Sequence, residues 1–234
     1  CSDCLLQPEA FRAAMESVRD WQKETGVSVY DESQHRGLLR HLYLRMGQET
    51  GDILVCLVVN GHRLPREESL VERLRERVPG LKSVVVNSNR EDTNVVLGRE
   101  NRVLWGEEAI SDVLCGLTFR ISPLSFYQVN RRQAQKLYEK AADYAGLTGR
   151  ETLLDLYCGT GTIGLSMAAR AKQVYGAEIV ASAVENAWEN ARRNGIANVE
   201  FLCADASQAA LELERRGVRP DVVLLDPPRK GCAL

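Results

Sequence analysis

Residues 151–166, E-T-L-L-D-L-Y-C-G-T-G-T-I-G-L-S, constrain the fold more than any other stretch of the chain. An apolar, β-forming run from Thr152 to Tyr157 feeds a turn carrying Gly159, Gly161 and Gly164, and helix-forming residues follow. A buried strand, a glycine turn and a helix in that order form the opening unit of a doubly wound parallel sheet. Glycine lets the backbone turn sharply and approach a ligand closely. Free N–H groups at the start of the helix are expected to face that ligand.

The same residues satisfy the dinucleotide pattern G-x-G-x-x-G, which taken alone is weak evidence. Asp155, at the strand's end, argues against a pyrophosphate, because a carboxylate there repels phosphate and attracts a cation. S-adenosylmethionine carries an ammonium and a sulfonium and no phosphate, so it suits the charge better than NAD does.

The strand–helix alternation then repeats. Strands are expected at Val174–Glu178, Val199–Cys203 and Asp221–Leu225, with helices at Ala181–Asn194 and Ala206–Arg215; Asn194-Gly195 is the expected cap of the first helix. Ligands of open α/β sheets bind outside the carboxyl ends of the strands, and Asp155, Glu178, Asp205 and Asp226 all fall at such ends. Glu178 is placed to accept from ribose hydroxyls, Asp205 from an adenine amino group and Asp226 from a substrate N–H near the methyl group. Any one acid could instead cap a helix; four beside one glycine loop point to a cofactor pocket. Pro227 and Pro228 stop the fourth strand and hold Asp226 at the rim, and Arg229 and Lys230 suit nucleic-acid phosphate. A sheet truncated after this fourth strand exposes an apolar edge able to pair with a second copy.

Residues 1–115 read as a smaller α+β domain preceding a Rossmann-like domain over 116–234. A helix is expected over Pro8–Glu24, with Phe11, Met15, Val18 and Trp21 at helical spacing. Strands are expected at Val27–Tyr30, Leu38–Met46, Ile53–Val59 and Leu81–Asn87, a helix at Arg66–Arg77, and a hairpin of Val95–Leu97 with Arg102–Trp105 around Gly98. Arg36, Arg40, His41 and Arg45 are either contacts for RNA phosphates or ordinary surface charge. The segment Phe119–Asn130 leads into a helix over Arg131–Tyr144, with Asn130 as its N-cap and Ala134, Leu137, Ala141 and Tyr144 inward. That segment is either a capped connector or a lid or floor on the glycine-loop pocket, with Gln128 reading the ligand.

The net charge of -2 and pI near 6.0 argue mildly against a large phosphate footprint, though a local basic patch stays open. Seven cysteines at scattered spacing make no secreted disulfide framework. No apolar run approaches the ~20 residues of a membrane span, and no signal peptide is visible, so a cytoplasmic location is expected. A first residue that is Cys and a last stretch of Gly-Cys-Ala-Leu read as cuts in a longer protein.

Three motifs together, D-L-Y-C-G-T-G-T from Asp155, S-F-Y-Q-V-N from Ser125 and D-P-P-R-K-G from Asp226, resemble the RNA uracil-5-methyltransferase family. Its bacterial members that form 5-methyluridine in 23S ribosomal RNA are the nearest likeness. The resemblance covers the chain from about residue 115 onward, and the preceding α+β segment looks like the family's central domain. It implies an S-adenosylmethionine-dependent RNA methyltransferase, with cofactor contacts at Gln128, Tyr157, Gly159, Gly161, Thr162, Glu178 and Asp205, and with Asp226 touching cofactor or target uracil. In the family a cysteine thiolate attacks uracil C6 and a glutamate-type base removes the C5 proton, on a base flipped out of its stack.

The chain departs from the family in lacking the N-terminal RNA-binding barrel and any residue matching the nucleophile or base. Those two are expected downstream of Leu234, so this fragment is expected to be inactive. Cys158, inside the loop, and Cys232, directly after the Pro-Pro motif, do not match the nucleophile. Many members hold a four-iron cluster, and Cys4 resembles its last cysteine; with its partners absent, no 4Fe-4S cluster is expected in the fragment. The rivals are a nicotinamide-dependent oxidoreductase, a non-catalytic cofactor- or RNA-binding module, and a nucleic-acid N-methyltransferase, which usually carries an aromatic residue where Arg229 stands.

Overall fold

The computed structural model describes residues 7–229 and 231. The chain divides into two compact units, Cys1–Asp112 with Ile121–Leu124, and Val113–Arg120 with Ser125–Leu234.

In the first unit, α1 (Ala10–Thr25) is followed by β1 (Leu39–Met46), β2 (Ile53–Val59), α2 (Glu67–Arg77), β3 (Leu81–Ser88) and β4 (Glu100–Gly106). The strands form one sheet in the order β1-β2-β3-β4, with β2 and β3 parallel and the two outer pairings antiparallel. The unbroken apolar run of β2 takes an interior position and is buried at every residue. Trp21 and Val18 of α1 and Leu70 and Leu74 of α2 bury against alternate residues Val55, Leu57, Val59, Val84 and Val86, as period-2 strands facing period-3.6 helices require.

Two expected strands do not form. Val27–Tyr30 contributes only an isolated bridge, Val29 to Leu39. Val95–Leu97 makes no hairpin, because side chains take up the local backbone groups. Asn89 Nδ2 donates to the Val95 and Val96 carbonyls, and Asn87 exchanges bonds with Gly98 through both its amide atoms. β4 pairs with β3 instead. Arg40 is likewise corrected: its side chain is buried and donates to the carbonyls of Asn89, Glu91 and Thr93, so it organises this loop and is not presented to phosphate. Arg45 donates to the Ser122 carbonyl.

The strands β5 (Ile110–Leu114) and β6 (Leu117–Ile121) form a two-stranded sheet. The second unit continues with α3 (Arg131–Ala145), β7 (Thr152–Leu156), α4 (Thr162–Met167) with a 3-10 turn at Ala168–Arg170, β8 (Gln173–Glu178), α5 (Ala181–Arg193), β9 (Val199–Cys203), α6 (Ala206–Arg215) and β10 (Val222–Leu225). All four strands β7–β10 are parallel, in the order β10-β7-β8-β9. This is the expected doubly wound sheet, with its topological switch between β7 and β10. Its core gathers Leu153, Val174, Ala187, Ala191, Phe201 and Leu165.

Asn130 caps α3, accepting from Gln133 N. The inward face of α3 is the expected one only in part: Ala134 is buried and Ala141 packs against the core as expected, but Tyr138 and Ala142 complete the buried row, while Leu137 and Tyr144 are exposed. The i, i+4, i+8 row lets the Tyr138 hydroxyl reach Thr162 Oγ1 at 3.1 Å, satisfying a polar tip that inward packing would otherwise strand. β10 is an edge strand among the described residues, with Val223 and Leu225 exposed. No helix of the described residues is long and apolar enough to cross a membrane.

Candidate cofactor site

The loop after β7 is built by backbone geometry that the sequence allows at few positions. Tyr157 turns the chain out of the strand with φ 62, and Gly159 and Gly161 follow at φ 56 and 79. Glycine adopts that region freely, whereas Tyr157 is held there against a cost of about 1–2 kcal/mol. A Cβ on Gly159 would meet nothing within 4 Å, so open space lies over the loop at that point. A Cβ on Gly161 would press on Phe201, Ala187 and Leu165 at 3.1–3.2 Å, so the loop is tight against the core on its other side. The helix that follows is short, six residues.

Side chains from three elements hold this loop. Asp155 of β7 is 1% exposed, and its Oδ2 accepts from Gly164 N at 2.9 Å. Its Oδ1 is buried with no hydrogen-bond partner. Burial pushes the Asp155 carboxyl up to about 7, the Gly164 N–H opposes that rise, and the nearby charge of Asp226 adds to it. Asp155, at the strand's end as expected, thus sits beneath the loop and braces it. Glu178, at the end of β8, accepts from Gly159 N at 3.1 Å through one oxygen and from Val180 N at 2.9 Å through the other. Asn190 of α5 donates to the Thr160 carbonyl at 3.1 Å.

Thr162 opens α4 and bonds Tyr138, whose hydroxyl pKa is raised, chiefly by burial, against the lowering effect of that bond. Asp205 caps α6 by accepting from Gln208 N at 2.8 Å, so the capping role open to any such acid is filled here by one of its oxygens. Asp226 is exposed after β10, and its charge is felt at both Asp155 and Tyr138. Gln128 is half-buried in the segment before α3. Burial also drives the Cys158 thiol far above its usual range, with Asp155 and Glu178 adding to the rise; it is no ready thiolate. Cys4, Lys230 and Cys232 lie outside the described residues, and no metal-holding group of His, Cys, Asp or Glu occurs among the described ones.

Sequence reasoning missed Tyr138 and Asn190. The signal for Asn190 was present: it shares the apolar stripe of α5 with Val184, Ala187 and Ala191, where a buried amide needs partners of its own.

Chemically, the site is an open glycine loop at the carboxyl edge of a parallel sheet, beside the switch point, edged by acids and underlain by an unpartnered carboxyl oxygen. It fits a cationic ligand bearing hydroxyls and an amine better than it fits a phosphate.

The sequence model described as tRNA (Uracil-5-)-methyltransferase matches residues 49–232. An uncharacterized RNA methyltransferase of Halalkalibacterium halodurans is 46% identical over 230 residues, covering 98% of this chain and 50% of its own length. One from Clostridium tetani is 45% identical, at 98% and 50% coverage. The chain thus spans about half the length of the curated relatives it matches. Among solved structures, the tRNA (uracil-54, C5)-methyltransferase of Pyrococcus abyssi, in complex with S-adenosyl-L-homocysteine, superposes with a TM-score of 0.77 at 30% identity, over 95% of this chain and 52% of that one.

Proposed function

The chain belongs to the tRNA (uracil-5-)-methyltransferase family, and from that premise we propose that its second unit holds S-adenosylmethionine for methyl transfer to C5 of a uracil in RNA. The observation that carries the proposal is the loop at 157–164, open above Gly159 and fastened to the acids Asp155 and Glu178. Bound S-adenosylmethionine supplies an electrophilic methyl group. Glu178 keeps lone pairs for ribose hydroxyls while holding Gly159, and Asp205 has one oxygen left for an adenine amine. Tyr157, Gly159, Gly161 and Thr162 form the wall of the loop, Gln128 reads the ligand, and Asp226 orients cofactor or uracil at the rim.

The curated relatives are about twice as long as this chain, and activity, RNA target and location are proposed for the whole protein. The family's chemistry needs a thiolate at uracil C6 and a base at the C5 proton. Neither is assigned to this chain: burial pushes the Cys56 thiol up to about 12 and drives the Cys158 thiol far above its usual range. The chain alone is therefore proposed to bind cofactor without methylating. Cys4 is proposed as an iron–sulfur ligand of the whole protein, which works in the cytoplasm. The proposed substrate is 23S ribosomal RNA, on the likeness of the three motifs. Transfer RNA is the second reading, favoured by the substrate named for the Pyrococcus abyssi enzyme. Methylation of 23S ribosomal and transfer RNA transcripts by the whole protein separates the two.

Calorimetric titration of the chain with S-adenosylhomocysteine, with NADH run in parallel, tests the cofactor reading. Saturable binding of the first and none of the second is expected. A folded chain that binds NADH, or neither compound, refutes it.

A further inference from the structure

Asn190 lies wholly buried on α5, where an amide is costly unless its groups are paired. Its two ends point to different elements. Nδ2 donates to the Thr160 carbonyl, between the two left-handed glycines of the loop, at 3.1 Å. Oδ1 accepts from Arg120 N of β6 at 3.1 Å. One turn along the helix, Asn194 bonds both backbone groups of Thr118, at 2.8 Å each, and the Asn190 carbonyl at 2.8 Å. The two asparagines thus fasten β6 to α5 alike, but only Asn190 also grips the loop. Among the described residues Asp155 and Glu178 accept from N–H groups of the loop region, at Gly164 and Gly159, whereas Asn190 supplies a donor to a carbonyl in it. An acid cannot do that while ionised.

We infer that Asn190 is a positioning residue for the cofactor: by donating to the Thr160 carbonyl it sets the orientation of the Thr160–Gly161 peptide, and so the shape of the surface between Gly159 and Gly161. The inference rests on the reading of that loop as the S-adenosylmethionine site. It goes further in separating two roles that α5 combines, anchoring β6 and shaping the loop.

The test uses Asn190→Asp and Asn194→Ala in the full chain, with S-adenosylhomocysteine as probe and wild type measured at each pH. Asn190→Asp preserves size and the acceptor for Arg120 N but, when ionised, turns a second oxygen on the Thr160 carbonyl. Of the charged groups about it, Arg120, whose N–H it accepts, and Glu189, its neighbour on α5, pair with each other at 3.0 Å, and the acids that hold the same loop, Asp155 and Glu178, bond it at Gly164 and Gly159. At about pH 8 binding is expected to weaken by about tenfold or more relative to wild type, the cost of a lost donor facing a buried carbonyl. At about pH 5.5 the carboxyl, its ionisation disfavoured by burial, is protonated and donates again. The deficit is then expected to shrink to about threefold or less. Asn194→Ala lowers the melting temperature and leaves the dissociation constant within about twofold, since its hydrogen bonds go to Thr118 and the Asn190 carbonyl rather than to the loop.

Equal loss in both variants, or a deficit in Asn190→Asp that persists at the lower pH, assigns Asn190 a purely structural role and overturns the inference. If Asn190→Asp is unfolded, Asn190→Ser withdraws both bonds without adding charge; wild-type affinity in that folded variant is equally refuting. Wild type that binds no S-adenosylhomocysteine removes the cofactor reading itself, and this inference with it.

Discussion

Replacing Asp155 by asparagine removes an ionisation that the fold opposes. The carboxyl is fully buried, has one partner and is pushed up to about 7 from an ordinary 3.8. A folded-state value above the unfolded one means that the folded chain binds more protons between the two, so stability falls as pH rises through that window. At 1.36 kcal/mol per unit, a rise of about 3 units costs about 4 kcal/mol once the group is ionised in both states. Part of that is already lost at pH 5, leaving roughly 2–3 kcal/mol to be lost between pH 5 and pH 8. At 2–4 °C per kcal/mol for a chain of this size, that is about 5–10 °C of melting temperature. The amide that Asp155→Asn introduces does not titrate. Against the protonated carboxyl, its N–H bonds, set where Oδ1 has no partner, cost about 1–3 kcal/mol, and that cost does not change with pH, so the informative quantity is the difference between pH 5 and pH 8. Thermal unfolding at these two values, on either side of the pI near 6.0, is expected to show a drop in wild type that is smaller by about 5–10 °C in Asp155→Asn. Parallel profiles would mean that Asp155 is ionised at ordinary cost in the fold, and the account of its burial would be wrong.

Two further outcomes follow from packing. A Cβ on Gly176 of β8 would lie 2.5 Å from Phe201 Cδ1 and 2.9 Å from Cys158 Sγ, so Gly176→Ala is expected to lose about 1–3 kcal/mol in urea unfolding. Adding Phe201→Leu should recover much of that loss, and no recovery would refute the ring as the cause. The exposed apolar edge of β10 at Val223 and Leu225 is proposed to pair two copies of this chain. Size-exclusion chromatography should show association that grows with concentration and disappears in Val223→Lys; a clean monomer at every concentration refutes the pairing.

How much of this was legible in the sequence depended on the range of the interaction concerned. Strands β2, β3 and β7–β9 and helices α2, α5 and α6 could be read within a residue or two, because an apolar run or stripe and its breakers are neighbours in the chain. The Val95–Leu97 strand could not. Its apolar pattern was real, but Asn87 and Asn89 had already taken the backbone groups a hairpin needs. Periodicity allowed α3 more than one inward face, and the hydroxyl of Tyr138 found its partner on a helix 24 residues away.

The sequence by itself determined the parallel sheet, its glycine loop and the acids at its strand ends, since each is a pattern of adjacent residues whose backbone preferences suffice. Only the tertiary structure decided what those acids do. It placed Asp155 under the loop, engaged Glu178 with Gly159 and Val180, used Asp205 to cap α6, and brought Asn190 to Thr160 from 30 positions along the chain. The physical reason is that a buried polar group must be paired wherever the fold allows, and its partner is fixed by packing between distant segments rather than by any local preference.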